Sequence, residues 1–130
     1  MPKWTADQLQ AICDARELEI SSRRRDGTLS PQVTIWAVRV GNDIYIRSVN
    51  GPDATWYRNA RARSAGRVWA GGIEQDVRFE EPTDRLDDEI DDAYRAKFGA
   101  DSPHTHAILA PIARPTTVRV LPEQADRRRS

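Results

Sequence analysis

The stretch WAVRVGNDIYIRSVNGPDATWYRNARARSAGRVWAGG, residues 36–72, decides the fold because it alternates apolar runs with turn residues. Its first two runs flank Gly41-Asn42-Asp43, and glycine and asparagine tolerate the positive φ of a tight hairpin. The second run ends at Asn50-Gly51-Pro52, where the backbone must turn sharply. A short helix carrying Trp56 then precedes another strand. This order of elements predicts an α+β domain that is mainly β.

Similar patterns on either side of this stretch complete a set of six predicted strands. They cover residues 18–22, 33–40, 44–49, 68–70, 76–79 and 116–121. Residues 33–40 are apolar on both faces as far as Arg39, so we expect that strand to be covered on both sides. Gly71-Gly72 predicts a second hairpin, between the fourth and fifth strands.

An N-terminal helix and two to three connecting helices are predicted around these strands. The first begins with a capping box, in which the side chains of Thr5 and Gln8 satisfy each other's backbone N–H groups. Its apolar face holds Leu9 and Cys13, which favours a small buried hydrophobe over a reactive thiol at the cysteine. A reactive thiol stays open as an alternative, because Arg16 lies at helical spacing from Cys13.

A strong amphipathic helix is predicted near the C-terminus, and Ser102-Pro103 begins a short helix or turn after it. The long helix carries an apolar stripe that includes Ile90 and Tyr94, and Gly99 ends it. Carboxylates fill its first turns, from Asp84 to Asp92. They could be metal ligands or an acid–base pair, but nothing else in the segment converges on them, which favours a solvated helix face.

Length and composition exclude several classes of protein. The 130 residues carry 20 basic and 20 acidic side chains, so the formal net charge is zero and gives no field that would attract nucleic acid. No apolar run approaches the roughly 18 residues of a membrane span, and no signal-like leader opens the chain. We expect a cytoplasmic protein with one domain over residues 1–122 and a disordered tail over residues 123–130.

Metal and nucleotide motifs have little support. His104 and His106 could bind a metal, but no nearby residue is an obvious third ligand. The single cysteine, Cys13, excludes an internal disulfide and a multi-cysteine zinc site. Neither a GxxxxGK[ST] nor a GxGxxG motif occurs. We therefore expect no metal and assign no catalytic acid or base.

A group of basic and polar residues is a candidate anion site. Arg23-Arg24-Arg25 precedes a turn at Asp26-Gly27, and Ser48 and Asn50 lie at the end of the strand that leads into the Trp56 helix. Guanidinium groups bind phosphate through paired hydrogen bonds, and a turn offers free N–H groups beside them. The basic cluster fits a solvated hairpin corner equally well, and the residues alone do not decide between the two.

Two patterns in the deciding stretch resemble known proteins. The motif D-x-Y-x-x-S at residues 43–48, with W-Y-x-N-x-x-A at residues 56–62, resembles the split β-barrel flavin and deazaflavin oxidoreductases. The resemblance is strongest to their deazaflavin-dependent nitroreductase-like branch. The longer pattern W-x-V-x-V-G-x-D-x-Y-x-R-S-V-x-G, residues 36–51, resembles an uncharacterised family of small bacterial proteins with that fold.

The resemblance implies a six-stranded antiparallel split β-barrel of the FMN-binding type. It also implies a homodimer with FMN or a deazaflavin coenzyme in a groove at the subunit interface. Carried over by position, it nominates as cofactor-binding residues Arg24, Arg25, Thr34, Trp36, Ser48, Asn50 and Trp56. We expect Trp56 to hold a dual position, with one ring edge packed in the core and one face towards the groove.

The implied activity is hydride or electron transfer to a small molecule. The alternative is a non-enzymatic small-ligand-binding or dimerisation module on the same fold that has lost its cofactor. Residues 25–30 favour this alternative, since they lack the later arginine of the G-x-x-S-G-x-x-R stretch typical of the deazaflavin branch. They also include Asp26, whose carboxylate would repel a phosphate.

Overall fold

The computed structural model describes residues 3–82 and 86–123, whose strands form one antiparallel sheet curled into a nearly closed barrel. The strands are β1 (Leu18–Ser22), β2 (Val33–Ile35), β3 (Ala37–Val40), β4 (Asp43–Ile46), β5 (Ala65–Ala70), β6 (Ile73–Glu80) and β7 (Val118–Pro122). Their order across the sheet is β2-β1-β5-β6-β7-β4-β3. The predicted split β-barrel is thereby confirmed.

Within the described residues the barrel has seven strands rather than the predicted six, because the strand predicted over residues 33–40 is divided at Trp36. The half before Trp36, β2, pairs with β1, and the half after it, β3, pairs with β4. These halves are the two ends of the sheet, so continuous chain through Trp36 closes the barrel.

The helices are α1 (Ala6–Asp14), α2 (Thr55–Arg63), α3 (Asp87–Phe98) and α4 (Pro103–Ile108). The capping box of α1 is confirmed, with Gln8 N–H donating to Thr5 Oγ1 at 3.1 Å and Thr5 N–H donating to Gln8 Oε1 at 2.9 Å. Gly99 ends α3 as predicted, and its N–H donates to the carbonyl oxygen of Arg95. Cys13 is half-buried on α1 rather than fully buried.

Both predicted hairpins are confirmed. The turn after Val40 joins β3 to β4, and Gly71-Gly72 joins β5 to β6. The turn at Asn50-Gly51-Pro52 is also confirmed, as a short 3-10 helix over Gly51–Asp53. Glycine is favoured there because φ is +77° and an added Cβ would clash with the Ile112 side chain.

Two apolar clusters hold the fold together. The larger one joins the barrel strands to α1 and α2, through residues such as Ile12, Ile20 and Trp56. The smaller one lies between the β3–β4 hairpin and α3 and α4, and it includes Tyr45 and Tyr94. This second cluster places α3 against the outer surface of the β3–β4 hairpin.

Three expectations from the sequence need correction. The strand predicted to reach residue 49 ends at Ile46. Val33 and Thr34 are exposed, so the chain by itself does not cover both faces of residues 33–40. Asp91 is 6% exposed, so the acidic start of α3 is not solvated throughout.

Some expectations concern residues that lie outside the described ranges. The predicted disordered tail falls almost wholly on residues 124–130, and Asp84 belongs to residues 83–85. Among the helices that the structure describes, none is long and apolar enough to cross a lipid bilayer.

Candidate functional site

The candidate site is a cleft at the end of the β3–β4 ladder. The two strands pair from Val40 opposite Asp43 to Ala37 opposite Ile46, and there the ladder stops. Continuing the same register would pair residue 36 with residue 47 and, at the far end, residue 33 with residue 50. Residues 33–36 and 47–50 instead stand apart and, with Trp56, line a cleft of about 90 Å³.

Five of the seven nominated residues come together in this cleft. They are Thr34, Trp36, Ser48, Asn50 and Trp56. Arg24 and Arg25 are exposed on the turn after β1 and do not line the cleft. Their role as phosphate ligands stays a prediction.

The turn that carries Arg24 and Arg25 also holds a carboxylate. The hydroxyl and the N–H of Thr28 both donate to Asp26 Oδ1, at 2.6 and 3.0 Å. These hydrogen bonds lower the pKa of Asp26 below its ordinary value, and the nearby Arg24 charge lowers it further. The turn therefore carries a negative charge beside its arginines, which offsets part of their attraction for a phosphate.

The two hydroxyl groups in the cleft already have partners within the chain. Thr34 Oγ1 donates to Glu19 Oε2 at 2.7 Å, and Ser48 Oγ donates to the Gly51 carbonyl oxygen at 2.7 Å. Ser48 is 1% exposed, so its hydroxyl stabilises the turn that follows it. Asn50 is exposed at the mouth of the cleft and carries the polar side chain best placed to meet a ligand.

Two indoles flank the cleft in different ways. Trp56 is 5% exposed and belongs to the main core, where its ring meets Tyr57 edge-on at 5.8 Å between centroids. Trp36 is half-buried and stacks on His104, with ring centroids 4.3 Å apart and planes inclined by 26°. His104, considered above as a metal ligand, is thus an aromatic partner of a cleft residue. No group of three His, Cys, Asp or Glu residues able to hold a metal occurs in residues 3–82 and 86–123.

Arg47 is a residue of the cleft that was not nominated from the sequence. Its side chain is fully buried, and its guanidinium group donates to Asp91 Oδ1 at 2.6 Å and to Thr117 Oγ1 at 2.9 Å. Asp91 Oδ2 also pairs with Arg114 at 3.0 Å. Two features of the sequence indicate this network. Arg47 is a lone charge within the apolar run IYIRSV, and a run of acidic residues follows later in the chain.

Comparisons with known proteins agree with this architecture. The profile of a family described as "Uncharacterized protein conserved in bacteria (DUF2255)" matches residues 8–120. No curated protein matches the chain.

Several solved structures share the fold. HutZ, described as a heme storage protein from Vibrio cholerae, has a TM-score of 0.68 at 11% identity, covering 89% of this chain and 87% of that one. An F420-H2 dependent reductase, FDR-A, has a TM-score of 0.59 at 14% identity, covering 81% and 93%. A FAD-binding protein from Mesorhizobium loti has a TM-score of 0.59 at 21% identity, covering 94% and 92%. At these identities the likeness establishes the shared fold alone.

Proposed function

This chain belongs to the bacterial protein family described as DUF2255, and we propose that its cleft binds the planar ring of a flavin or deazaflavin cofactor. The observation that carries the proposal is the position of the cleft, where two strands of a split barrel separate beside a half-buried indole. Similar barrels occur in an F420-H2 dependent reductase and a FAD-binding protein.

The groups that line the cleft fit a planar ring with a polar edge. Trp36 can stack on such a ring, because aromatic faces pair in offset or tilted arrangements. Residues 33–36 and 47–50 lie outside the β3–β4 ladder, so some of their backbone groups can bond the ring edge. The Asn50 amide at the mouth can both donate and accept hydrogen bonds. These groups would bind and orient the ring, and a bound flavin or deazaflavin would supply hydride or electron transfer.

The volume of the cleft indicates that a second copy of the chain completes the site. About 90 Å³ is well below the roughly 300–1,000 Å³ of typical small-molecule pockets. Val33 at the cleft and Ile112 beside the Gly51 turn are 37% and 52% exposed, and both are apolar. We propose that a partner chain covers this surface and forms the second wall of the cleft.

We expect a two-fold dimer that buries more than roughly 1,200 Å² in total. Light scattering at micromolar protein concentration measures the mass directly. A mass near twice 14.7 kDa is the expected result. A monomer mass under these conditions would contradict the completed site.

A non-enzymatic binding or dimerisation module remains the second candidate function. It is favoured by the internal hydrogen bonds of Thr34 and Ser48 and by the absence of Arg24 and Arg25 from the cleft lining. Such a module would form the same dimer without binding either cofactor. Cofactor titration therefore separates the two candidates, whereas the oligomeric state does not.

Calorimetric titration with FMN, a deazaflavin coenzyme and riboflavin tests the proposal. We expect FMN or the deazaflavin coenzyme to bind with a dissociation constant in the micromolar range or below, about −8 kcal/mol or better. The double variant Arg24→Ala/Arg25→Ala should weaken binding of the phosphorylated cofactor by about 1.5–3 kcal/mol for each charge-assisted hydrogen bond lost. Riboflavin, which has no phosphate, should bind both proteins equally.

The matched control is Arg58→Ala/Arg63→Ala, which removes two exposed arginines of α2 that do not line the cleft. This control should bind the phosphorylated cofactor as tightly as the unchanged protein. Absence of heat with both cofactor classes would overturn the proposed function. Unchanged affinity in the Arg24/Arg25 variant would overturn only the phosphate contact.

A further inference from the structure

The residue types that follow the β3–β4 ladder do not by themselves explain why it ends. Residues 33–36 are Val-Thr-Ile-Trp and residues 47–50 are Arg-Ser-Val-Asn, with neither proline nor glycine among them. β-branched and aromatic residues favour extended pairing. The ladder nevertheless stops after Ala37 and Ile46. Residues 33–35 pair with β1 at the other end of the sheet, and further contacts from outside the hairpin hold Trp36 and residues 47–48.

Both residues at the first unpaired position are tied to the same helix. The Trp36 carbonyl oxygen accepts a hydrogen bond from the Tyr94 hydroxyl at 2.7 Å. The Arg47 guanidinium group donates to Asp91 Oδ1 at 2.6 Å and to the Asp87 carbonyl oxygen at 3.4 Å. Tyr94, Asp91 and Asp87 all belong to α3.

Tyr94 contacts both segments at once. Its hydroxyl reaches Trp36, and its ring lies 5.6 Å from the guanidinium carbon of Arg47. The side chain is fully buried, and burial raises the pKa of Tyr94 well above its ordinary value. The hydroxyl therefore keeps its proton and donates a hydrogen bond at neutral pH.

Two further hydrogen bonds connect this region to groups outside the hairpin. Lys97 Nζ donates to the Ala37 carbonyl oxygen at 2.6 Å, next to the Tyr94 contact. Ser48 N–H donates to Thr116 Oγ1 at 2.8 Å on the other segment. The first bond holds Ala37, the last paired residue of β3, and the second gives the Ser48 N–H a partner that is not the facing strand.

We propose that α3 is a wedge that keeps the cleft open, with Tyr94 and Lys97 as its positioning residues. These two side chains hold the carbonyl groups of residues 36 and 37, while Asp91 of the same helix holds the Arg47 side chain in the other segment. Without these ties the ladder extends into residues 33–36 and 47–50, and the cleft closes. The proposal concerns the protein without ligand, and only its effect on cofactor affinity rests on the proposed function.

Hydrogen exchange of the ligand-free protein, followed by mass spectrometry, tests the wedge. Tyr94→Phe removes one oxygen atom and keeps the ring. We expect exchange in the segments containing residues 33–36 and 47–50 to slow by about tenfold, because a longer ladder protects its amides. Tyr57→Phe is the matched control, since it removes the hydroxyl of another buried tyrosine, which bonds Arg61 outside the cleft. It should leave these segments unchanged.

Lys97→Met provides a second variant that keeps the side-chain volume. Lys97 is half-buried, and burial lowers the pKa of its amine, so the uncharged methionine side chain should preserve the fold. We expect slower exchange in the same two segments. Unchanged or faster exchange there in both Tyr94→Phe and Lys97→Met would overturn the wedge, whatever the cofactor titration gives.

Loss of cofactor affinity is the second readout. If the cleft binds a cofactor, Tyr94→Phe should weaken FMN or deazaflavin binding by about tenfold, or about 1.4 kcal/mol. Slower exchange without any cofactor binding to the unchanged protein would support the wedge and overturn the proposed function. Cofactor binding of equal strength in the unchanged protein, Tyr94→Phe and Lys97→Met, together with unchanged exchange, would support the proposed function and overturn the wedge.

Discussion

Replacement of Asp91 by alanine is expected to lower the free energy of unfolding by about 3–5 kcal/mol, because it takes from a buried charge its closest and most buried partner. The Arg47 side chain is fully buried, and Asp91 Oδ1 lies 2.6 Å from its guanidinium nitrogen. Thr117 and the Ile108 carbonyl oxygen would remain as uncharged hydrogen-bond acceptors, and Asp87 Oδ1 would remain as a more distant carboxylate, at 3.6 Å and 32% exposed. Urea denaturation measures the loss.

Asp92→Ala is the matched control for this prediction. Asp92 is the next residue of α3, its side chain is 76% exposed, and it pairs with Arg95 at 2.8 Å on the helix surface. Exposed pairs of this kind contribute about 0–1 kcal/mol, so the control should unfold at nearly the same urea concentration as the unchanged protein. Equal losses in the two variants would show that the buried network contributes nothing particular to stability.

Replacement of Trp56 by alanine is the second change for which we expect a large effect. Trp56 is 5% exposed and packs with the main core, so truncation should cost about 3–5 kcal/mol. Trp69→Ala is the matched control, because Trp69 is a half-buried tryptophan on β5 outside that core cluster. Trp69→Ala should lower the free energy of unfolding clearly less than Trp56→Ala does in the same thermal or urea measurement.

Trp56→Phe separates the packing of this residue from its place in the cleft. Phenylalanine keeps much of the apolar volume, so the fold should survive and cofactor affinity can be measured. We expect weaker binding, since Trp56 also lines the cleft. If Trp56→Ala were as stable as Trp69→Ala, that result would contradict the core position of Trp56. If Trp56→Phe bound the cofactor as tightly as the unchanged protein, Trp36 would be the tryptophan that contacts the cofactor ring.

Local chemistry predicted the parts of the fold that depend on neighbouring residues. The Thr5–Gln8 capping box, the hairpin after Val40 and the Gly71-Gly72 hairpin each need only a few adjacent residues, and all three are present. The stop at Ile46 was not predicted, because residues 47–49 are as suitable for a strand as those before them. The stop depends on α3, which lies far along the chain.

The candidate site was predicted in part, and mostly through resemblance. Matching by position nominated five residues that the fold brings together, although they come from β2, the break between β2 and β3, the segment after β4, and α2. The Arg47–Asp91 pair was missed because it joins residues 44 positions apart. The acidic run that contains Asp91 was assigned to a solvated face because nothing else in its own segment converges on it. The Trp36–His104 stack was missed for the same reason, since no local pattern connects the two rings.

Amide chemical shifts during a cofactor titration test the central claim most directly, because they locate the binding site as well as detect it. On addition of FMN or a deazaflavin coenzyme to the isotopically labelled protein, we expect the largest shifts at residues 33–36 and 47–50 and at the Trp36 indole N–H. Residues of the opposite β5–β6 hairpin should not shift. No shifts at about 1 mM of either cofactor, where even affinities of about −4 kcal/mol would be visible, would contradict the account. Shifts confined to residues away from this cleft would contradict it equally.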